Sequence, residues 1–132
     1  MNDQNLKISF DFDGTLDRND FIYLIAQTLK MAGHQICVLT SRDTNWDNRD
    51  LIKRISGLGL TLEDVIFVPN TWKWQAIQEH QIDFHFDDDP QEINKINKYC
   101  TSEIFNTAGF LVSFDIPFTL NLLTQKHFKD GC

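Results

Sequence analysis

Long apolar runs are missing from this chain. Nothing approaches the roughly 18 consecutive apolar residues that cross a bilayer, so no membrane-spanning helix is expected. The N-terminus (Met1-Asn2-Asp3-Gln4) also lacks the basic-then-apolar layout of a secretory leader, and the expected location is cytoplasmic. Cysteine is scarce: Cys37, Cys100 and Cys132 give neither an even disulfide count nor metal-ligand spacing. Cys37 falls in the apolar run Ile36-Cys37-Val38-Leu39 and reads as a buried thiol. Basic residues are outnumbered, 12 Lys and Arg against 19 Asp and Glu, for a net charge of −7. That sign opposes non-specific nucleic-acid binding, which needs basic groups to neutralise phosphates. It leaves an anionic substrate open, because carboxylates that hold a divalent cation are offset by it. Repeats, low-complexity tracts and linkers are absent as well. The 132 residues are therefore expected to form one domain, large enough to bury its own core.

What is present is organised around Ile8-Ser9-Phe10-Asp11-Phe12-Asp13-Gly14-Thr15-Leu16. Alternate residues of an extended strand share a face, so Asp11 and Asp13 converge at the strand's end. Two like charges held that close call for a cation or a proton between them. Asp13-Gly14 alone would suit a hairpin turn. The next periodic segment is helical, however, with Phe21, Leu24, Ile25, Thr28 and Leu29 on one face, Asn19 or Asp20 as cap and Gly33 as stop.

Strand and helix patterns then alternate. Gln35 to Leu39 reads as a strand, and Leu51, Ile52, Ile55 and Leu58 mark a helix closed by Gly57 and Gly59. Val65 to Val68 is a third strand, followed by a helix from Asn70 or Thr71 with Trp74 and Ile77 inward and Trp72 as a further candidate for that face. Ile82 to Phe86 is a fourth strand, and residues 90–99 a helix. Weaker strands are expected around 103–106 and 110–114, and a last amphipathic helix over about 116–128. Short loops between alternating elements imply an open three-layer α/β domain with a mostly parallel sheet. Ligands on such sheets sit beyond the carboxyl ends of the strands.

Four polar clusters fall at those ends. The first strand brings Asp11 and Asp13, the second Thr40-Ser41-Arg42, and the fourth Asp87-Asp88-Asp89, while Lys73 opens the helix after the third. Thr40 either caps its loop or donates to a phosphoryl oxygen, and Arg42 is either a surface residue or within reach of an anion. Lys73 in a first helical turn opposes the macrodipole, at a cost of roughly 0.3–1 kcal/mol. Either a carboxylate or bound anion nearby offsets this, or the lysine is solvated and its stem covers apolar surface. Asp89-Pro90-Gln91-Glu92 is a helix start, with Asp89 as cap and Glu92 closing a capping box. Asp87 and Asp88 are left as metal ligands or their supports. His85, between two phenylalanines, is assigned to the opposite sheet face from Asp87 and Asp88, as a packed or rim histidine and not a ligand. Oxygen-only ligands (Asp11, a backbone carbonyl near Asp13, and Asp87) suit Mg²⁺ rather than zinc.

Asp11-Phe12-Asp13-Gly14-Thr15-Leu16, Leu39-Thr40-Ser41-Arg42, Lys73 and Phe86-Asp87-Asp88 resemble, in order, the four signature motifs of the haloacid dehalogenase-like hydrolases. The resemblance covers residues 8 to 90 and implies a three-layer, Rossmann-like α/β fold. It also implies Asp11 as nucleophile, forming an aspartyl-phosphate, and Asp13 as general acid and then base. Thr40 and Lys73 would hold the phosphoryl oxygens, with Gly14, Ser41 and Arg42 around the substrate. Mg²⁺ would sit on Asp11, the Asp13 carbonyl and Asp87, and Asp88 would support the metal shell or orient Lys73. An acid two residues after the nucleophile is similar to the phosphatase and phosphomutase branch, because a halide leaving group needs no proton.

The intervals from Asp13 to Thr40 and from Thr40 to Lys73 each hold one helix and one strand. A cap domain is therefore not expected. Uncapped sites exclude water poorly, and such members act on large phosphorylated substrates or borrow a partner or neighbouring subunit as lid. Trp46, Trp72 and Trp74 are candidates for an apolar rim, with Trp74 assigned to the core. The expected activity is phosphomonoester hydrolysis. A non-catalytic phosphate- or metal-binding regulatory domain, and phosphoryl transfer to an acceptor other than water, stand as alternatives.

Overall fold

The computed structural model describes residues 5–102 and 105–112. Five strands, β1 (Lys7–Phe10), β2 (Gln35–Thr40), β3 (Val65–Phe67), β4 (Phe84–Asp87) and β5 (Ala108–Leu111), form one sheet in the order β3-β2-β1-β4-β5. Every neighbouring pair is parallel. The hairpin at Asp13-Gly14 is thereby excluded, since β1 and β2 run the same way. Crossovers carry α1 (Asp20–Met31), α2 (Arg49–Ser56), α3 (Trp74–Glu79) and α4 (Pro90–Tyr99). One sheet face, with Ile8, Phe10, Ile36 and Val38, packs on Ile22 and Ala26 of α1 and Leu51 and Ile55 of α2. The other, with Cys37 and Leu39, packs on Ala76 and Ile77 of α3 and Ile93 and Ile96 of α4. The expected three-layer α/β arrangement is present.

Strand order positions the site. The chain walks from β1 outward through β2 to β3, then returns to lay β4 on β1's other side. Successive crossovers therefore diverge between β1 and β4, leaving a crevice at their carboxyl ends. Ser9 lies opposite His85 and Phe10 opposite Phe86 in that pairing. The two phenylalanine rings stack with centroids 4.7 Å apart. A hydrogen bond from Asp11 N to Phe86 O, 2.8 Å, extends the pairing one residue past β1.

Local chemistry explains the element boundaries. Asn19 caps α1 by accepting from Ile22 N at 3.1 Å, and Gly33 leaves the helix at φ 97°. In α2 only Leu51 and Ile55, one turn apart, face the sheet, while Ile52 stands 40% exposed. The helix after β3 starts at Trp74 rather than at Asn70 or Thr71. Asn70 sits at φ 61°, a left-handed conformation from which a right-handed helix cannot propagate. Trp74 packs against the core and stacks on Tyr99, whereas Trp72 is 39% exposed. Asp89 caps α4 as expected, accepting from Gln91 N at 2.9 Å ahead of Pro90. Glu92 does not close the box; its carboxylate reaches across to α3 and accepts from Lys73 N at 3.1 Å. The strand expected at 110–114 is β5, Ala108–Leu111, and Asn106 makes only an isolated bridge to Thr101. Residues 103–104 and the helix expected over 116–128 lie outside the described residues. Among the described residues, no helix is long and apolar enough to cross a membrane.

Candidate active site

Immediately after β1, the chain makes a five-residue turn, Phe12–Leu16. Leu16 N bonds to Asp11 O at 3.3 Å and Asp17 N to Phe12 O at 3.1 Å. Gly14 adopts φ 87° at its centre and donates to Asp17 Oδ1 at 2.9 Å. A Cβ at Gly14 would collide with the Asp88 carboxylate, so glycine is what lets the β1 turn and the β4 loop meet. The turn also brings the Thr15 hydroxyl back to Asp11 Oδ2 at 3.2 Å.

Lys73 closes the site from the other side of the sheet. Its side chain is buried, with Nζ 2.6 Å from Asp11 Oδ1 and 2.7 Å from Asp87 Oδ2. These carboxylates are the partners that a cation at a helix start requires. The contact continues inward: Asp87 Oδ2 lies 2.8 Å from His85 Nε2, and His85 Nδ1 lies 2.6 Å from Ser9 Oγ. A carboxylate only accepts, so Nε2 carries the imidazole proton and Nδ1 accepts from the serine hydroxyl. Burial lowers the His85 pKa and favours that neutral form. Asp87 Oδ1 accepts from Asp89 N at 3.0 Å.

The charges do not balance. Ligand atoms of Asp11, Asp87 and Asp88 lie within 4.8 Å of one another, facing one ammonium. Burial pushes the Asp11 carboxyl up to about 8, against the pull of Lys73. Asp88 is raised too, by burial first. Burial opposes ionisation of Asp87 as well, but the His85 hydrogen bond and the Lys73 charge hold its carboxyl down at about 2. Lys73 stays charged: its burial is outweighed by the two carboxylates. A raised pair of carboxyls beside an ionised one marks a place short of positive charge. An oxygen-seeking divalent cation fits that donor set, and Mg²⁺ is such a cation.

Of the residues singled out from the sequence, Asp11, Asp13, Ser41, Lys73, Asp87 and Asp88 line one cavity of about 440 Å³. Asp13 differs from Asp11 in being exposed, and its side chain stands apart from the carboxylate cluster. Both of its oxygens are held by Arg42, at 2.8 and 2.9 Å, and the same guanidinium forks to Asp50 at 2.7 and 2.8 Å. Arg42 is thus an anchored residue rather than a free surface cation. Thr40 is fully buried and its hydroxyl accepts from Arg42 N at 3.2 Å, serving the loop, while Ser41 faces the cavity. Lys73 is oriented by Asp11, Asp87 and Glu92.

His85 requires a correction. It shares a face with Asp87 instead of lying opposite, because residues two apart on a strand point the same way. The alternation applied to Asp11 and Asp13 held the signal for His85 and for Ser9, two residues before Asp11, whereas Asp13 itself falls in the turn beyond β1 and does not converge with Asp11. Glu92 and Asp50 had no such signal, since each acts on a residue outside its own helix: Glu92 on Lys73 N, 19 positions back, and Asp50 on Arg42, 8 positions back. The chain matches no model of a known protein family, no curated protein and no solved structure.

Proposed function

We propose that this protein is a Mg²⁺-dependent phosphomonoester hydrolase of the haloacid dehalogenase type, acting through a phosphoryl group carried on Asp11. The observation that carries the reading is the meeting of buried Asp11, Lys73 and Asp87 with half-buried Asp88 at the crevice between β1 and β4. Asp13 lines the same cavity two residues beyond Asp11. Asp11, Asp87 and Asp88, with the backbone carbonyl of Asp13, are the residues that would hold Mg²⁺. Bound there, the ion supplies positive charge that offsets repulsion between a carboxylate and a phosphate.

The chain's own residues divide the work. An Asp11 oxygen attacks phosphorus as the bond to the leaving oxygen breaks, and Asp13, turned off Arg42 and protonated when substrate binds, gives that oxygen its proton. Water then attacks the aspartyl-phosphate, Asp13 takes a proton from it, and the Asp11–phosphorus bond breaks to release inorganic phosphate. Lys73 pins Asp11 Oδ1 and balances charge as it develops on the phosphoryl oxygens. Ser41 is the hydroxyl at the cavity wall, and Thr40 shapes the loop that carries it. The intervals between motifs support an open site without a cap.

The test is phosphate release from an aryl phosphate by purified protein, with Mg²⁺ and with EDTA. Metal-dependent turnover is expected. No release across several divalent metals and a range of pH would sink the proposal.

A further inference from the structure

Beside the phosphoryl cavity lies a second one, of about 560 Å³, lined by Asp13, Arg42, Trp46, Asp47, Arg49 and Asp50. Among the described residues, Asp13 alone lines both. Under the reading above, Asp13 protonates the leaving oxygen. The phosphoryl group then occupies the Asp11 side, and the rest of the substrate extends past Asp13 into the second cavity.

The chemistry of that wall selects what fits. Arg42 is forked between Asp13 and Asp50, and Arg49 is bidentate on Asp47 at 2.7 and 2.9 Å. Both arginines are thus answered by carboxylates, and three aspartates outnumber them. A second phosphate or a carboxylate on the substrate meets no surplus of positive charge here. Trp46 supplies the opposite kind of surface, an indole 59% exposed in a wall of charged groups.

A lone exposed tryptophan is ordinary, but this one is presented by a braced loop. Trp46 N bonds to Asp43 O at 3.1 Å, and Asn45 N to Asp43 Oδ1 at 2.9 Å. Asn48 Nδ2 donates to Asp43 O at 3.1 Å and Trp46 O at 3.2 Å. Arg42 Nη1 reaches Asn48 Oδ1 at 3.4 Å, which ties this brace to the residue that grips Asp13. The loop backbone that carries the indole is ordered in advance, so stacking does not require the loop to be ordered first.

We infer that this cavity is the leaving-group subsite of the proposed phosphatase, selecting monophosphates whose leaving group is neutral, planar and aromatic, stacked on Trp46. The inference rests on the phosphatase reading for the placement of Asp13, and its test has one arm that turnover does not enter. In the first arm, kcat/KM is measured for phenyl phosphate and for glycerol phosphate, which carries the same charge without a ring. Trp46→Ala should lower the ratio of the two by about tenfold, the order of one aromatic stack, and Trp46→Phe should restore most of it. An unmoved ratio overturns the inference.

In the second arm, phenyl phosphate is added to Asp11→Asn protein and tryptophan fluorescence is followed. Quenching is expected that vanishes when Trp46→Phe is added and that inorganic phosphate does not reproduce. Quenching that persists in Trp46→Phe, equal quenching by inorganic phosphate, or none at all overturns the subsite. Absence of phosphate release from every substrate overturns the catalytic reading instead, and the fluorescence arm still decides what Trp46 binds.

Discussion

Lys73 couples both sides of the crevice through a single ammonium. Buried between Asp11 and Asp87, it is the cation that lets two carboxylates approach in the absence of metal. Breaking a buried pair by removing one member costs about 3–5 kcal/mol. Lys73→Met is therefore expected to lose stability of that order in urea unfolding with EDTA present. Added Mg²⁺ should recover part of it, because the ion takes over the missing charge. Equal stability of variant and parent in EDTA would contradict the pairing. His85 acts one contact further in. His85→Leu removes a donor from Asp87 and leaves the Ser9 hydroxyl buried beside an apolar side chain. The expected loss is about 1–3 kcal/mol by chemical denaturation. Adding Ser9→Ala to His85→Leu should cost little more, since the two sites share one network.

At the scale of elements, the turn after β1 and the loop after β4 are built against each other. Gly14 combines a left-handed φ with a Cβ position already filled by the Asp88 carboxylate. Gly14→Ala should cost more than the roughly 1–2 kcal/mol of a left-handed residue alone. It should also weaken Mg²⁺ binding measured by calorimetry, because Asp88 must move. Wild-type metal affinity in that variant would contradict the arrangement. The same elements show how much could be read in advance. Strands, helices and their alternation were legible because apolar periodicity reports them directly, and Asp11, Lys73, Asp87 and Asp88 because each follows a strand. Glu92 was assigned to its own helix start. Its bond to Lys73 N crosses from α4 to α3, and no local pattern encodes that crossing. The start of the helix after β3 escapes periodicity for a related reason: Asn70 takes a left-handed turn that an apolar pattern does not register. His85 was legible by strand alternation and assigned to the wrong face.

For the molecule as a whole, strand order is what turns separate motifs into one site. Because β4 returns to lie beside β1, residues more than seventy positions apart come within hydrogen-bond distance, as Asp11 and Phe86 do. Two packed faces protect that arrangement, and the two thiols of the face against α3 and α4 report on its opening. Cys37 is 5% exposed and its thiol is pushed up to about 11, chiefly by burial; Cys100 is 1% exposed and also raised. Both are expected to resist a thiol reagent at neutral pH until the protein unfolds. Labelling of each, mapped by peptide mass, should appear with the urea transition, and rapid labelling in buffer would contradict the packing. The central claim, that Asp11 carries the phosphoryl group, is tested most directly by acid-quenching a Mg²⁺ reaction with an aryl phosphate and mapping peptide masses. The account predicts one added phosphoryl group on Asp11, absent from Asp11→Asn protein, which also releases no phosphate. Turnover without a phosphoryl group on Asp11, or undiminished turnover by Asp11→Asn, would contradict it.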